Sequence, residues 1–143
     1  MHEHEEPRNL SDDESYVEDR IGSAARTLRR LPDVKVQGYF STWPAIIREP
    51  LEILQMEPEP MRVRPSQQDI TDMEEVLFVW LKWIEPEERR LVWLRAERVR
   101  WKLICGRMGV GRTKAWELYR RALARIASRI PPLERPENKQ KQQ

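Results

Sequence analysis

The sequence holds one cysteine, two histidines and no long apolar run, and each scarcity removes a class of protein. With Cys105 alone no internal disulfide framework can form, which suits a reducing compartment. A transmembrane helix takes about 18 or more consecutive apolar residues, and no such stretch exists, so no membrane partner is expected. The opening MHEHEEPRNL is acidic and lacks an apolar h-region, so no secretory signal is expected and the cytoplasm is the expected location. Both histidines, His2 and His4, lie in that opening run beside Glu3, Glu5 and Glu6. The run has no apolar frame to fix its geometry and lacks the helical HExxH spacing, so neither a metal nor a cofactor is expected. Catalysis finds no foothold either. Nothing pairs His with Cys or Ser, the glycines form no phosphate-cradling loop, and Glu74, Glu75, Glu85, Glu87 and Glu88 read as solvent-facing helix surface.

What is present is charge and tryptophan. Of the 143 residues 35% are charged and 39% hydrophobic, which bounds the chain to one domain's worth of modest core. Six tryptophans can supply much of it, because each large aromatic buries ~150–250 Å². The net charge of +2 hides an asymmetry: residues 86–143 carry 16 Lys/Arg against 6 Asp/Glu, residues 1–85 carry 10 against 18. Between Arg98 and Arg129 the count is 10 against 1. A basic half joined to an acidic half suits a nucleic-acid binder with an acidic arm, although a solvated Arg-rich helix face gives the same count.

Along the chain, residues 1–10 are polar and expected to be disordered. Ser11-Asp12-Asp13-Glu14 reads as a capping box, followed by Val17, Ile21, Ala24, Leu28 and Leu31 on one helical face until Pro32. This amphipathic helix, 11–32, needs a partner surface: the rest of the domain, or a second protomer docked through Val17, Ile21 and Leu28. Residues 33–65 hold five prolines and are expected to form short helices, at Pro44 and over 51–56, with Trp43 anchored on the core. Ser66 and Asp69 form a second box opening a helix whose face is Ile70, Met73, Leu77, Trp80, Leu81 and Ile84. Pro86 starts the next helix, with Leu91, Val92 and Leu94 inward and Trp93 sharing that duty.

The chain is organised around Arg100–Ile126. Trp101, Ile104, Cys105 and Met108 form an apolar face, Gly109-Val110-Gly111 a turn, and a basic amphipathic run begins at Arg112. Short helix, glycine turn, longer basic helix is the pattern of a helix-turn-helix. Cys105 is expected where the helices cross, Gly109 at the turn, and Gly111 at an N-cap where Ser or Thr would be stronger. Ala115, Leu118, Ala122 and Ile126 are expected inward. Arg100, Lys102, Arg112, Thr113, Lys114, Trp116, Glu117, Arg120 and Arg121 form the candidate DNA surface. Arg112 and Lys114 suit guanine edges or phosphates, Thr113 a thymine methyl, Trp116 a sugar or base, and Glu117 a cytosine or Arg121. Arg120, Arg121, Arg125 and Arg129 reach phosphates only if they face the DNA backbone. Trp101, by contrast, reads as core.

Arg100–Ile126 also resembles, without gaps, region 4 of the bacterial sigma-70 family, whose helix-turn-helix reads a promoter element. The shared residues are Ile104, Gly109-Val110, Arg112 after the turn, and Ala122-Leu123. In that family the positions of Arg112, Thr113, Trp116 and Glu117 face DNA, so the resemblance implies the same here. Trp116 stands where Arg is usual and Glu117 where Gln is usual, so the promoter specificity is not carried over. A wider resemblance runs through VEDRIGSAARTLRRLP, GYFSTWPAIIREP and the stretch from Arg64 to Leu123. It is to an uncharacterised family of alphaproteobacterial and prophage proteins known by its domain alone. It implies a helical, sigma-region-4-like DNA-binding fold and no catalytic residues; the family's usual Ser or Thr after the turn is Gly111 here.

The expected fold is therefore an all-α multi-helix bundle, its helix-turn-helix domain at 66–130 and tails at 1–10 and 131–143 disordered. The expected function is sequence-specific binding of double-stranded DNA as a transcriptional regulator of phage or prophage type. Two alternatives share the motif. One is a small-terminase-like phage DNA-packaging adaptor, a ring joined through the first helix or the Trp-rich helices. The other is an interaction module whose basic helix takes RNA polymerase or another acidic partner, the chain's own acidic arm included.

Overall fold

A computed structural model describes residues 10–32 and 64–131, which form five α-helices and no strand. The chain is all-α over these residues. The expected helices at Pro44 and 51–56, the Trp43 anchor and nearly all of both tails lie outside the described residues.

Helix α1 (Asp12–Arg29) begins where the capping box places it. Ser11 Oγ accepts from the Glu14 N–H and Glu14 Oε1 from the Ser11 N–H, both at 3.1 Å, satisfying two of the donors a helix start leaves open. Its stripe, Val17, Ile21, Ala24, Leu28 and Leu31, is buried against α2 (Gln67–Phe78) and α5 (Arg112–Arg129) of the same chain. This corrects the expected second protomer: Val17 and Leu28 have 0% and Ile21 2% of their surface exposed, so they offer no apolar face to another copy. Arg20 ties α1 to α2, donating to Tyr16 Oη and to Glu75 Oε1, each at 2.9 Å, with its guanidinium 4.5 Å from the Trp80 ring centroid.

The Ser66–Asp69 box opens α2, with both reciprocal bonds at 3.0 Å. The helix does not run to Ile84 as its periodicity suggests. It stops at Phe78, and a 3-10 turn, Trp80–Trp83, follows. The carbonyls this releases find a donor: Arg89 Nε lies 2.7 Å from Leu81 O and 3.2 Å from Ile84 O. Tightening the last turn keeps Trp80, Leu81 and Ile84 all buried.

Helix α3 (Pro86–Ala96) starts at its proline. Leu91, Val92, Trp93 and Leu94 are all buried, Trp93 completely, which is what a helix enclosed on every side requires. Two carboxylates expected or free to lie on the surface do not. Glu88 and Glu97 are 7% and 6% exposed. Glu88 Oε1 accepts from the Glu85 N–H at 2.9 Å and from Arg125 Nη1 at 2.8 Å, so a helix cap and a tertiary ion pair share one oxygen.

The α3–α4 junction is a Schellman turn built on arginine. Val99 N–H reaches Leu94 O at 3.0 Å and Arg98 N–H reaches Arg95 O at 2.9 Å, with Arg98 at φ 65°. A side chain in this left-handed region costs roughly 1 kcal/mol, a strain the turn accepts to send α4 (Trp101–Met108) back across the bundle.

Candidate nucleic-acid interface

Helix α4 and helix α5 are joined by three residues, and glycine is required at one of them. Gly109 sits at φ 69°, ψ 31°, where any Cβ is strained. Cys105 O accepts from both the Gly109 N–H at 2.8 Å and the Val110 N–H at 3.2 Å, closing the end of α4. Gly111 takes the N-cap of α5 in an extended conformation and supplies no side-chain cap. Cys105 is half-buried; the buried residue of α4 is Ile104, which corrects the expected crossing point. Cys105 serves the turn through its carbonyl.

On α4 the exposed positions are Lys102, Leu103, Gly106 and Arg107, one helical face, with Arg100 exposed just before it. Leu103 is 56% exposed among these basic residues. On α5 the inward set is Ala115, Tyr119, Ala122, Leu123, Ile126 and Ala127. Leu118, expected inward, is only half-buried; Tyr119 holds the buried position. At about 100° per residue, Thr113, Lys114, Glu117 and Arg121 share one arc of roughly 100°, and all four are exposed.

The remaining basic side chains of α5 are engaged within the chain. Arg120 Nε is 3.4 Å from Glu14 Oε1 of α1. Arg125 pairs with Glu88 at 2.8 Å, and the Arg129 guanidinium lies 5.7 Å from the Trp83 ring centroid. Of the four arginines expected along the helix, Arg121 alone is exposed with neither an ion pair nor a ring contact among the described residues. Arg112, in the first turn of α5, is half-buried and flanks the exposed arc.

Trp116 is a packing residue. Its ring lies 6.0 Å from Trp101 and 5.9 Å from Tyr119, and Trp101 meets Tyr119 edge-on at 5.4 Å and 86°. Ring pairs of this kind contribute about 0.5–1.5 kcal/mol each beyond area burial, and they fix how α4 sits on α5. Arg95 caps the cluster, its guanidinium 5.1 Å from the Trp101 centroid and its Nη1 donating to Val99 O at 2.9 Å. Of the nine candidate residues, then, the fold brings Arg100, Lys102, Thr113, Lys114, Glu117, Arg120 and Arg121 to the surface and holds Arg112 and Trp116 half in.

Two participants act through partners distant in the chain. Tyr119 Oη donates to Glu18 Oε2 at 2.7 Å, and Glu14 reaches Arg120, so the acidic end of α1 lies along the side of α5. A tyrosine three residues beyond Trp116 fits the inward period and was the available sign. No group of three potential metal ligands occurs among the described residues, and no described helix is long and apolar enough to cross a membrane.

Residues 29–126 match the sequence profile of a domain of unknown function, DUF6362, and the chain belongs to that family. The match begins at the last residue of α1 and covers α2 through most of α5, so the exposed arc lies inside it and the acidic end of α1 outside. Among curated proteins and solved structures none matches the chain.

Proposed function

We propose that this DUF6362-family chain binds double-stranded DNA through the exposed arc of α5, with Arg100 and Lys102 at the start of α4 on the flanking phosphates. The biological role that best suits this is a transcriptional regulator of phage or prophage type. One observation carries the proposal. The arginines on the sides of α5 have partners inside the chain, Arg120 and Arg125 in Glu14 and Glu88 and Arg129 in the Trp83 ring, while Thr113, Lys114, Glu117 and Arg121 on the outward arc are left to solvent. The arc follows directly on a glycine turn, and its helix is braced on α4 by the Trp101, Trp116 and Tyr119 rings, the placement that a groove-reading helix requires. Lys114 and Arg121 carry the charge such a surface offers phosphate or guanine, Thr113 offers a methyl and a hydroxyl, and Glu117 accepts from cytosine.

Two other readings draw less from this geometry. A packaging ring joined through the first helix or the Trp-rich helices would have to use their polar faces, since the α1 stripe, Trp80 and Trp93 are buried within one chain. RNA polymerase or another acidic partner would be met by the same basic arc.

Selection of bound duplexes from a random DNA pool tests the proposal. An enriched motif is expected, together with a fall of log K against log salt of about 0.9 per phosphate contacted. Lys114→Ala and Arg121→Ala weaken binding, and Arg112→Ala weakens specific more than nonspecific binding. No retention of any duplex at low salt overturns the reading.

A further inference from the structure

The acidic end of α1 is placed against the flank of the arc just described. Glu14, Glu117, Arg120, Arg121 and Ala124 line one open groove, and the Glu14 carboxylate lies over Arg120 within it. We propose that Glu14 is an intramolecular competitor of DNA phosphate for Arg120, occupying the guanidinium in the free protein and giving it up to the backbone of a bound duplex. This rests on the DNA-binding reading and names a regulation of the same surface.

Geometry separates this ion pair from its neighbours. Arg120 Nε stands 3.4 Å from Glu14 Oε1, well beyond the ~2.7–2.9 Å of a strong charge-assisted hydrogen bond. Its side chain is 48% exposed. One turn and a half further on, Arg125, 38% exposed, holds the 8%-exposed Glu88 at 2.8 Å, a shorter contact built to stay closed. The Arg120 pair is the longer of the two, made through Nε, with its arginine half in water and its Glu14 side chain 12% exposed. A phosphate offers the same guanidinium a bidentate partner.

The anchor beneath it is firm. Glu18, one helical turn along from Glu14, accepts the Tyr119 hydroxyl at 2.7 Å, and Val17 and Ile21 are fully buried. Glu14 is therefore delivered to Arg120 by a core helix and is present at high effective concentration. It cannot swing away with a loose arm. What breaks on DNA binding is the side-chain contact, and the backbone stays in place. Glu14 also accepts from the Ser11 N–H through the same Oε1, and a glutamine keeps that bond, so the charge can be removed without uncapping α1.

Fluorescence anisotropy of a short labelled DNA duplex at low salt, with the full-length chain, tests this. Glu14→Gln is expected to tighten binding by about two- to five-fold, the range an exposed ion pair supports. Arg120→Ala is expected to weaken binding and to reduce the salt slope by about 0.9, one phosphate. In the Arg120→Ala background the Glu14→Gln gain disappears. Unchanged or weaker binding by Glu14→Gln, while the parent chain binds, overturns the inference alone; so does an equal gain in the Arg120→Ala background, which marks a long-range charge effect. Failure of the parent chain and every variant to bind overturns the DNA reading and the inference with it.

Discussion

Tyr119 and Glu18 are 101 residues apart in the chain and 2.7 Å apart in the fold, joined by a hydrogen bond from the phenol to the carboxylate. The bond spans the first helix and the last. It also orders the aromatic cluster, because the Tyr119 ring that donates it is the one Trp101 meets edge-on. Tyr119→Phe keeps the ring and removes the donor. The expected loss is about 1–2 kcal/mol of unfolding free energy, a charged acceptor being left half-buried without its partner. Urea denaturation checks it; an unchanged midpoint means that the bond contributes nothing.

The glycine within α4 and the one that caps it respond oppositely. Gly106 lies within the helix, exposed, with open space where a Cβ would go. Gly106→Ala should raise stability by about 0.5–1 kcal/mol, by restricting the unfolded chain and improving helix propensity. Gly109 has equally open space but φ 69°. Gly109→Ala should lower stability by roughly 1 kcal/mol for backbone reasons alone. The pair of thermal melts distinguishes conformational strain from steric crowding, since neither site is crowded.

Glu97 gives the fold a pH dependence. Burial lifts its carboxyl from 4.5 to about 7, and the opposing pull of Arg29, whose Nε is 3.7 Å from Oε1, is too weak to reverse this. Neither carboxylate oxygen has a hydrogen-bond partner among the described residues. With the folded value raised, the folded state holds a proton that the unfolded state has released, so stability falls as pH rises through the window from 4.5 to about 7. The full change is of order 3 kcal/mol. Denaturation midpoints should drop between pH 5 and pH 7.5. Glu97→Gln should flatten the profile and stabilise the upper end, and a parallel profile in the variant would assign the slope elsewhere.

Trp116 is expected to act on stability before binding. Its contacts to Trp101 and Tyr119 are intramolecular, so Trp116→Leu should cost about 1–2 kcal/mol, by loss of two ring pairs. Trp116→Phe should restore most of it and bind DNA like the parent chain. If Trp116→Phe keeps its melting temperature but loses DNA affinity, the indole has a direct role on the ligand.

Local rules were readable in the sequence. Ser11 with Glu14 and Ser66 with Asp69 mark two helix starts to the residue, Pro86 marks a third, and Gly109 marks the turn, because capping and left-handed backbone are settled by groups within three or four residues. The stripes Val17–Ile21–Leu28 and Met73–Leu77–Trp80 identified core, since period and hydrophobicity suffice for that. What a periodic stripe cannot state is its partner. Whether α1 packed on its own chain or on a second copy, whether α2 ran on to Ile84, and whether Glu88 faced water were decided by contacts between distant segments.

The candidate surface divides along the same line. Composition and spacing determined that Arg112 to Arg121 forms a basic amphipathic helix after a glycine turn, because these are properties of neighbouring residues. Only the tertiary structure determined which of its charges remain outward. Glu14, Glu88 and the Trp83 ring, each brought from another part of the chain, engage Arg120, Arg125 and Arg129 and leave Lys114 and Arg121 exposed. A charge stands open to a ligand where no partner has been folded against it, and where one has, as Glu14 against Arg120, the ligand must displace it; which charges are which is chosen by the packing of the whole core.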